Sequence, residues 1–101
     1  MLKAYNLELS PAAKRDLKRL PHSIQKKIVF QHLPAITKDP FLKSEPLLGT
    51  YQGERSYHFG RKPEYRIIFS IEKDLIIVTI IGSREGIYRR AKRRKNRKGK
   101  I

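Results

Sequence analysis

Cysteine is absent from this 101-residue chain, which excludes disulfide bonds and thiolate metal sites. Histidine is scarce, and the residues at positions 22, 32 and 58 do not have a zinc-binding spacing, so we expect no metal and no other cofactor. Long apolar runs are also missing. No segment approaches the roughly 20 apolar residues of a membrane span, and the first residues lack the apolar core of a signal peptide. The simplest expectation is a cytoplasmic protein that does not enter a membrane.

Acidic residues are few: 9 Asp and Glu stand against 24 Lys and Arg, which gives a formal net charge of +15. An excess of this size makes a polyanion such as a nucleic acid the default partner. The excess is uneven, because 9 basic and no acidic residues lie from Arg89 to the end. We therefore predict one folded domain over residues 1–93 and a basic tail over residues 94–101 that is disordered in isolation.

The N-terminal part of the chain predicts a strand followed by a helical hairpin. Apolar and polar residues alternate over residues 4–9, as in a half-buried strand. Ser10 is a good helix N-cap, and Pro11 then occupies the first position of a helix. Ser23 can cap a second helix, in which Pro34 is expected to cause a kink or an early end.

The C-terminal part predicts strands. Extended segments are expected over residues 56–59, 65–71 and 75–81, and the polar turn 72–74 makes the last two an antiparallel hairpin. A short helix is expected to start near Glu85. The predicted fold is α+β, with the N-terminal strand and helical hairpin packed on one face of a small antiparallel-rich sheet. The other face of the sheet is expected to be uncovered.

Two arginines at strand ends are candidates for binding a phosphodiester. Arg66 and Arg84 could hold the non-bridging oxygens in bidentate fashion, which lysine does less well. The alternative is that each arginine pairs with a neighbouring carboxylate, such as Glu64 or Glu85, on a solvated face. Tyr88 could stack on a base or donate a proton, although an aromatic ring on a short helix is more often part of a core.

The candidates for proton transfer are His58 and Glu45. His58 lies between Tyr57 and Phe59, so its imidazole points away from those two rings. If the rings face the helices, the imidazole faces the uncovered side of the sheet and could act as acid or base near neutral pH. Glu45 could be a general base at the edge of the sheet, and its alternative is a solvated loop carboxylate.

Further basic residues have the composition of a nucleic-acid surface, because cations bind phosphates and the tyrosines interleaved with them can stack on unpaired bases. A solvated charged loop and a nonspecific basic tail are the alternatives. The RNA-binding candidates are Arg55, Arg61, Lys62, Arg89, Arg90, Lys92 and Arg93.

The order and spacing of several motifs resemble the RelE/ParE superfamily of type II toxins. These are LELSPAAKRDL at 7–17, YRIIF at 65–69 and IGSREGIYR at 81–89. The resemblance implies a RelE-like mRNA interferase: a small α+β toxin that enters the ribosome, cuts mRNA, inhibits translation and arrests growth. It also implies an acidic antitoxin encoded beside the toxin, and a toxin–antitoxin complex on operator DNA.

The resemblance assigns roles to several of the same residues. Arg66 matches the strand arginine that contacts the scissile phosphate, Arg84 the arginine of the closing motif, and Tyr88 the tyrosine at the cut nucleotide. Glu45 resembles a glutamate that is a proposed base in the subset similar to the YoeB toxin. Ser83 departs from the common histidine before Arg84, which leaves the general acid and base unassigned between the remaining candidates.

Two alternatives to the nuclease stay open. The ParE branch of the superfamily is associated by the resemblance with inhibition of DNA gyrase and not with RNA cleavage. A basic RNA-binding module without catalysis would also fit the charge of the chain.

Overall fold

The structure, a computed structural model, describes residues 5–47, 53–87 and 89. Its helices and strands follow one another in an α+β order, and residues 84–87 and 89 add a helical segment after the last strand. In chain order the elements are β1 (Asn6–Leu9), α1 (Pro11–Lys18), α2 (His22–Lys27), a π-helical turn (Ile28–His32), α3 (Leu33–Lys38), β2 (Ser44–Pro46), β3 (Glu54–Phe59), β4 (Tyr65–Glu72) and β5 (Leu75–Ser83). The tail expected over residues 94–101 lies outside the described residues.

The five strands form one mixed sheet in the order β1-β5-β4-β3-β2. The predicted β4–β5 hairpin is confirmed, β1 pairs in parallel with β5, and the other pairs are antiparallel. Strand β2 was not predicted, because its three residues lie in a stretch rich in turn-forming residues. Pro46 fits there because an edge strand needs no second partner for its backbone. The sequence therefore predicted the centre of the sheet and missed one edge.

A bulge in β5 decides which side chains reach each face of the sheet. Ile68 of β4 lies opposite Ile80, whereas Phe69 lies opposite Val78, so Thr79 is the extra residue. The Thr79 hydroxyl donates to the carbonyl of Ile68 (3.3 Å). The bulge reverses the alternation of β5, so residues on either side of it can face the helices. Val78 and Ile81 both do so, although they are three residues apart.

The helices cover one face of this sheet, and their starts differ in how they are capped. Ser10 caps α1 as predicted, because its hydroxyl accepts the N–H of Ala13 at 3.1 Å. The prediction that Ser23 caps the second helix was wrong. The Pro21 carbonyl accepts the N–H of Ile24 and of Gln25, both at 3.0 Å, so the helix begins at His22.

The helix after the hairpin does not end at Pro34. It continues from α2 through a π-helical turn into α3, and the N–H of Leu33 donates to the carbonyl of Ile28, five residues earlier. Proline lacks a donor and its ring clashes with the carbonyl four residues before it, so a wider turn accommodates the residue inside a helix. The expected distortion is therefore a local widening and not a stop.

The face away from the helices is only partly uncovered, which corrects the prediction. Ile87 of the C-terminal helical segment is fully buried against Ile68 and Ile80, and Leu47 packs against the same cluster. The apolar residues of β4 and β5 on this face require cover, and the C-terminal segment supplies it. The part of the face that stays accessible lies toward β3 and β2.

Asp16 is a buried charged side chain that the sequence analysis did not single out. It lies on α1, is 1% exposed, and its Oδ2 accepts the N–H of Ile81 at 3.1 Å. Ile81 follows the β5 bulge, so this bond joins α1 to the residue after the bulge.

Replacing Asp16 with alanine should lower the free energy of unfolding by about 1.5–3 kcal/mol, because it removes a hydrogen bond to a charged group from a buried site. Urea denaturation followed by circular dichroism measures this change. Asp74→Ala, at an exposed turn position, should change it by less than about 0.5 kcal/mol. Equal effects of the two substitutions would contradict the role of the buried bond.

His32 is a second buried polar residue. Its Nδ1 lies 2.7 Å from the Tyr57 hydroxyl, and its ring stacks on Phe59 with 3.9 Å between centroids. Burial lowers the pKa of His32 below its ordinary value of 6.5, and the charges of Lys27 and Lys43 lower it further. Burial also raises the pKa of the Tyr57 phenol. Both shifts favour the neutral form of the pair.

The unfolding free energy should decrease as the pH falls below about 6.5, because the unfolded chain binds a proton that folded His32 resists. The contribution of His32 to stability is fully present above about pH 6.5 and is lost progressively as the pH falls toward the lower pKa of the folded state. Denaturant curves at about pH 7 and about pH 5.5 measure it. His32→Gln should reduce the pH dependence, whereas His22→Gln, on the exposed start of α2, should keep it. A dependence unchanged by His32→Gln would contradict the assignment.

Candidate functional site

His58 and Arg66 lie directly opposite each other on β3 and β4. Tyr57 and Phe59 pack in the core with the helices, so His58 projects from the other face, as predicted. Opposite residues on neighbouring strands have Cβ atoms about 5 Å apart. On its other side Arg66 faces Gly82 of β5, which has no side chain. The sheet therefore presents an imidazole and a guanidinium side by side on one face.

Glu45 joins this group from the edge strand β2. It lies opposite Ser56, one diagonal step from His58, and its Oε1 is 3.4 Å from His58 Nε2. The side chains are 67% and 46% exposed, respectively, so both can be reached by a ligand. The contact depends on β2, because without that strand Glu45 would be a loop carboxylate.

Arg66 forms the local ion pair that was the alternative to phosphate binding. Its Nε donates to Glu64 Oε2 at 2.8 Å, and the side chains of Arg66 and Glu64 are 17% and 30% exposed. Glu64 lies directly before β4, two residues from Arg66, so the pair is local in sequence. The hydrogen bond from Arg66 lowers the pKa of the Glu64 carboxyl, and the charges of Arg66, His58 and Arg84 lower it as well, against a smaller opposing effect of burial.

Arg84 is held at the site by a backbone hydrogen bond. Its N–H donates to the Glu64 carbonyl at 2.9 Å, which extends the β4–β5 ladder by one step, and its side chain is exposed. Ser83 accepts the N–H of Gly86 at 3.4 Å in the position of an N-cap. A cavity of about 340 Å³ lies beside this junction. Its lining residues are Pro63, Glu64, Ser83, Arg84 and Glu85.

Arg55, an RNA-binding candidate, is engaged in a different part of the fold. Its Nε donates to the Ser44 hydroxyl at 2.7 Å and its Nη2 to the Ser44 carbonyl at 2.9 Å. The guanidinium also lies over the ring of Phe41, 4.9 Å from its centroid. These contacts attach β2 and the preceding loop to β3, so Arg55 supports the strand that carries Glu45. Contact with RNA stays a prediction for this residue.

The other RNA-binding candidates are spread over the surface. Arg61 and Lys62 are exposed in the loop between β3 and β4, and Arg89 is exposed after β5. Several candidates lie outside the described residues, and their roles stay predictions: Tyr88, Arg90, Lys92 and Arg93.

Glu64 is the site residue whose position sequence reasoning did not find. The sequence predicts it only as a carboxylate partner of Arg66, whereas its carbonyl also accepts the N–H of Arg84. The available signal was the spacing of an acidic and a basic residue two apart at a strand start.

Within residues 5–47, 53–87 and 89, no group of three possible ligands could hold a metal ion, and no helix is long and apolar enough to cross a membrane.

A family model provides the decisive comparison. The model for the ParE toxin of the type II toxin–antitoxin system parDE matches residues 7–88. The chain belongs to this toxin family. The matched range includes every strand of the sheet except the first residue of β1, together with the site described above. No curated protein sequence matches the toxin significantly.

Solved structures share the fold of the toxin. A chain of the RelBE2 toxin–antitoxin complex from Mycobacterium tuberculosis superimposes with a TM-score of 0.74 at 23% identity, over 81% of this chain and 100% of that chain. The isolated RelE toxin of E. coli superimposes with a TM-score of 0.66 at 20% identity, over 90% of this chain and 98% of that chain. A YoeB chain from Staphylococcus aureus superimposes with a TM-score of 0.61 at 22% identity, over 77% of this chain and 94% of that chain. The predicted RelE/ParE-like fold is confirmed.

Proposed function

We propose that this toxin is a ribosome-dependent endoribonuclease that cuts mRNA, inhibits translation and so arrests growth. The observation that carries the proposal is the juxtaposition of His58 and Arg66 on an accessible face of the sheet, with Glu45 3.4 Å from the imidazole. The toxin family and the fold shared with the RelE toxin support it. Because ribosomes are its proposed target, the toxin acts in the cytoplasm.

The proposed reaction uses the 2′-hydroxyl of the RNA as nucleophile. The 2′-oxygen forms a bond to phosphorus, the bond from phosphorus to the 5′-oxygen breaks, and a cyclic phosphate and a 5′-hydroxyl result. A base must accept the 2′-hydroxyl proton, an acid must protonate the leaving 5′-oxygen, and cations must stabilise the phosphorane. None of these steps requires a metal ion.

His58 is the proposed group for proton transfer. If Glu45 accepts the Nε2 proton of His58, the Nδ1 atom carries the lone pair that takes the 2′-hydroxyl proton. Ser83 accepts a backbone N–H and has no basic group, so it does not supply the proton-transfer group that the resemblance leads us to expect before Arg84. Tyr88 is the remaining candidate for the acid.

Arg66 and Arg84 are the proposed phosphate ligands. Both adjoin Glu64, Arg66 through its side chain and Arg84 through its backbone, so their guanidiniums start from neighbouring points of the β4–β5 ladder. The net charge of +15 draws the toxin to RNA, and the basic residues from Arg89 onward are proposed to hold it on ribosomal RNA.

Arg66→Ala and His58→Gln should each reduce mRNA cleavage at least about 100-fold, because they remove a charge that stabilises the transition state and a proton-transfer group. The measurement is the mapping of new 5′ ends on transcripts after brief expression in growing bacteria. Arg15→Ala and His22→Gln remove the same residue types from exposed helical positions and should leave cleavage unchanged. Undiminished cleavage by both site variants would contradict the proposal.

Inhibition of DNA gyrase is a second candidate, because the matching family model is that of the ParE toxin. The same expression experiment separates the two functions. Intact transcripts accompanied by gyrase-dependent DNA damage would favour the second candidate, and transcript cleavage without such damage would favour the first. Nucleic-acid binding with neither effect would leave a basic binding module.

The proposed partner is an acidic antitoxin, which in complex with the toxin binds operator DNA. A largely apolar groove of about 300 Å³ lies beside α3 and the loop after it, and Leu42 at this groove is 72% exposed. Two lysines flank the groove, so an amphipathic acidic segment complements it in both polarity and charge. The lining residues are Ala35, Lys38, Asp39, Leu42, Lys43 and Tyr57.

Leu42→Asp should weaken antitoxin binding at least about tenfold, because it places a negative charge in an apolar contact with an acidic partner. Titration of the toxin with the protein encoded beside it, followed by calorimetry, measures the affinity. Ser23→Asp adds the same charge at an exposed position on α2 and should have little effect. Equal affinities for wild-type toxin and Leu42→Asp would place the antitoxin elsewhere.

A further inference from the structure

The Glu64 carboxylate occupies one side of the guanidinium that the proposed function assigns to the RNA phosphate. Its Oε2 accepts the Nε proton of Arg66 at 2.8 Å, and both side chains are partly exposed. A carboxylate and a phosphodiester carry the same charge and offer the same kind of oxygen acceptor to a guanidinium. An RNA phosphate that reaches Arg66 therefore meets a site where an anion is already bound.

The cationic groups proposed to act on RNA lie around Glu64. Arg66 donates to it, His58 lies directly across from Arg66, and the backbone of Arg84 is bonded to the Glu64 carbonyl. The hydrogen bond from Arg66 lowers the pKa of Glu64, and the charges of all three groups lower it further, so the carboxyl is ionised at neutral pH. The adjoining cavity of about 340 Å³ gives a ligand access to Glu64 and Arg84 from solvent.

We infer that Glu64 is an internal substitute for the RNA phosphate: it binds Arg66 in the free toxin and must be displaced when RNA binds. The inference rests on the proposed function for the identity of the ligand. Glu64 then controls affinity, because every binding event exchanges an intramolecular ion pair for an intermolecular one. It also repels the phosphate that displaces it, since the two anions compete for the same cations.

A positioning role is the competing explanation of the same contact. Glu64 could hold Arg66 in the orientation needed by RNA, in which case its removal would weaken RNA binding. Glu64→Gln distinguishes the two roles. Glutamine keeps an oxygen that can accept the Arg66 Nε proton but removes the charge, so the orientation of Arg66 is preserved while the competition is reduced.

The test measures the affinity of the full-length toxin for a uniformly 2′-O-methylated RNA oligonucleotide, which cannot be cleaved, by fluorescence anisotropy. Glu64→Gln should lower the Kd about three- to tenfold. Glu72→Gln removes the same charge from the far end of β4, roughly 20 Å from Arg66 and beyond the screening length, so it should change the Kd less than about twofold. In an Arg66→Ala background the gain from Glu64→Gln should fall below about twofold.

Three outcomes would overturn the inference. These are equal effects of Glu64→Gln and Glu72→Gln, weaker binding by Glu64→Gln, and a gain that persists without Arg66. Circular dichroism checks that each variant is folded. If the glutamine variant is unstable, Glu64→Ser removes the charge together with the acceptor for Arg66; tighter RNA binding by this variant is again expected, and weaker binding would again contradict the inference. Because the oligonucleotide resists cleavage, the outcome is independent of the nuclease assay: binding can respond as inferred in a toxin that cuts no mRNA, and the reverse can also occur.

Discussion

The pairing of β4 with β5 is the constraint on which the rest of the structure depends. Both strands lie in the centre of the sheet, and the bulge at Thr79 fixes how their side chains divide between the faces. Without the extra residue, Ile81 would turn away from the helices. With it, Ile81 reaches the core, Gly82 lies beside Arg66, and the ladder ends in the bond from Arg84 to Glu64. The register that builds the core therefore also assembles the site.

Some contacts of the site need only neighbouring residues, whereas others need a distant strand to be in place. The ion pair between Glu64 and Arg66 joins the residue before β4 to the second residue of that strand, so it needs no other part of the sheet. The contact between His58 and Glu45 needs the edge strand β2, which Arg55 attaches to β3 through Ser44. A short edge strand gains little from its own hydrogen bonds, so a side-chain clamp is required to keep it in place.

The net charge of this toxin attracts polyanions from a distance, whereas the charges at its site are paired with one another. The large excess of Lys and Arg draws polyanions without distinguishing them. At the site the same excess is locally balanced, because Glu64 and Glu45 each contact a basic side chain. Close to the site, an approaching anion therefore meets paired charges, and not the uncompensated excess of the whole chain.

The sequence by itself determined the α+β class, the β4–β5 hairpin, the Ser10 cap and the orientation of His58, because each follows from short-range periodicity or from one residue's backbone preference. It also carried the motifs that match the toxin family. Tertiary structure decided the bulge at Thr79 and the pairing of the edge strand β2. These features depend on which segments meet across the sheet, and a one-residue shift in pairing has no counterpart in composition or periodicity.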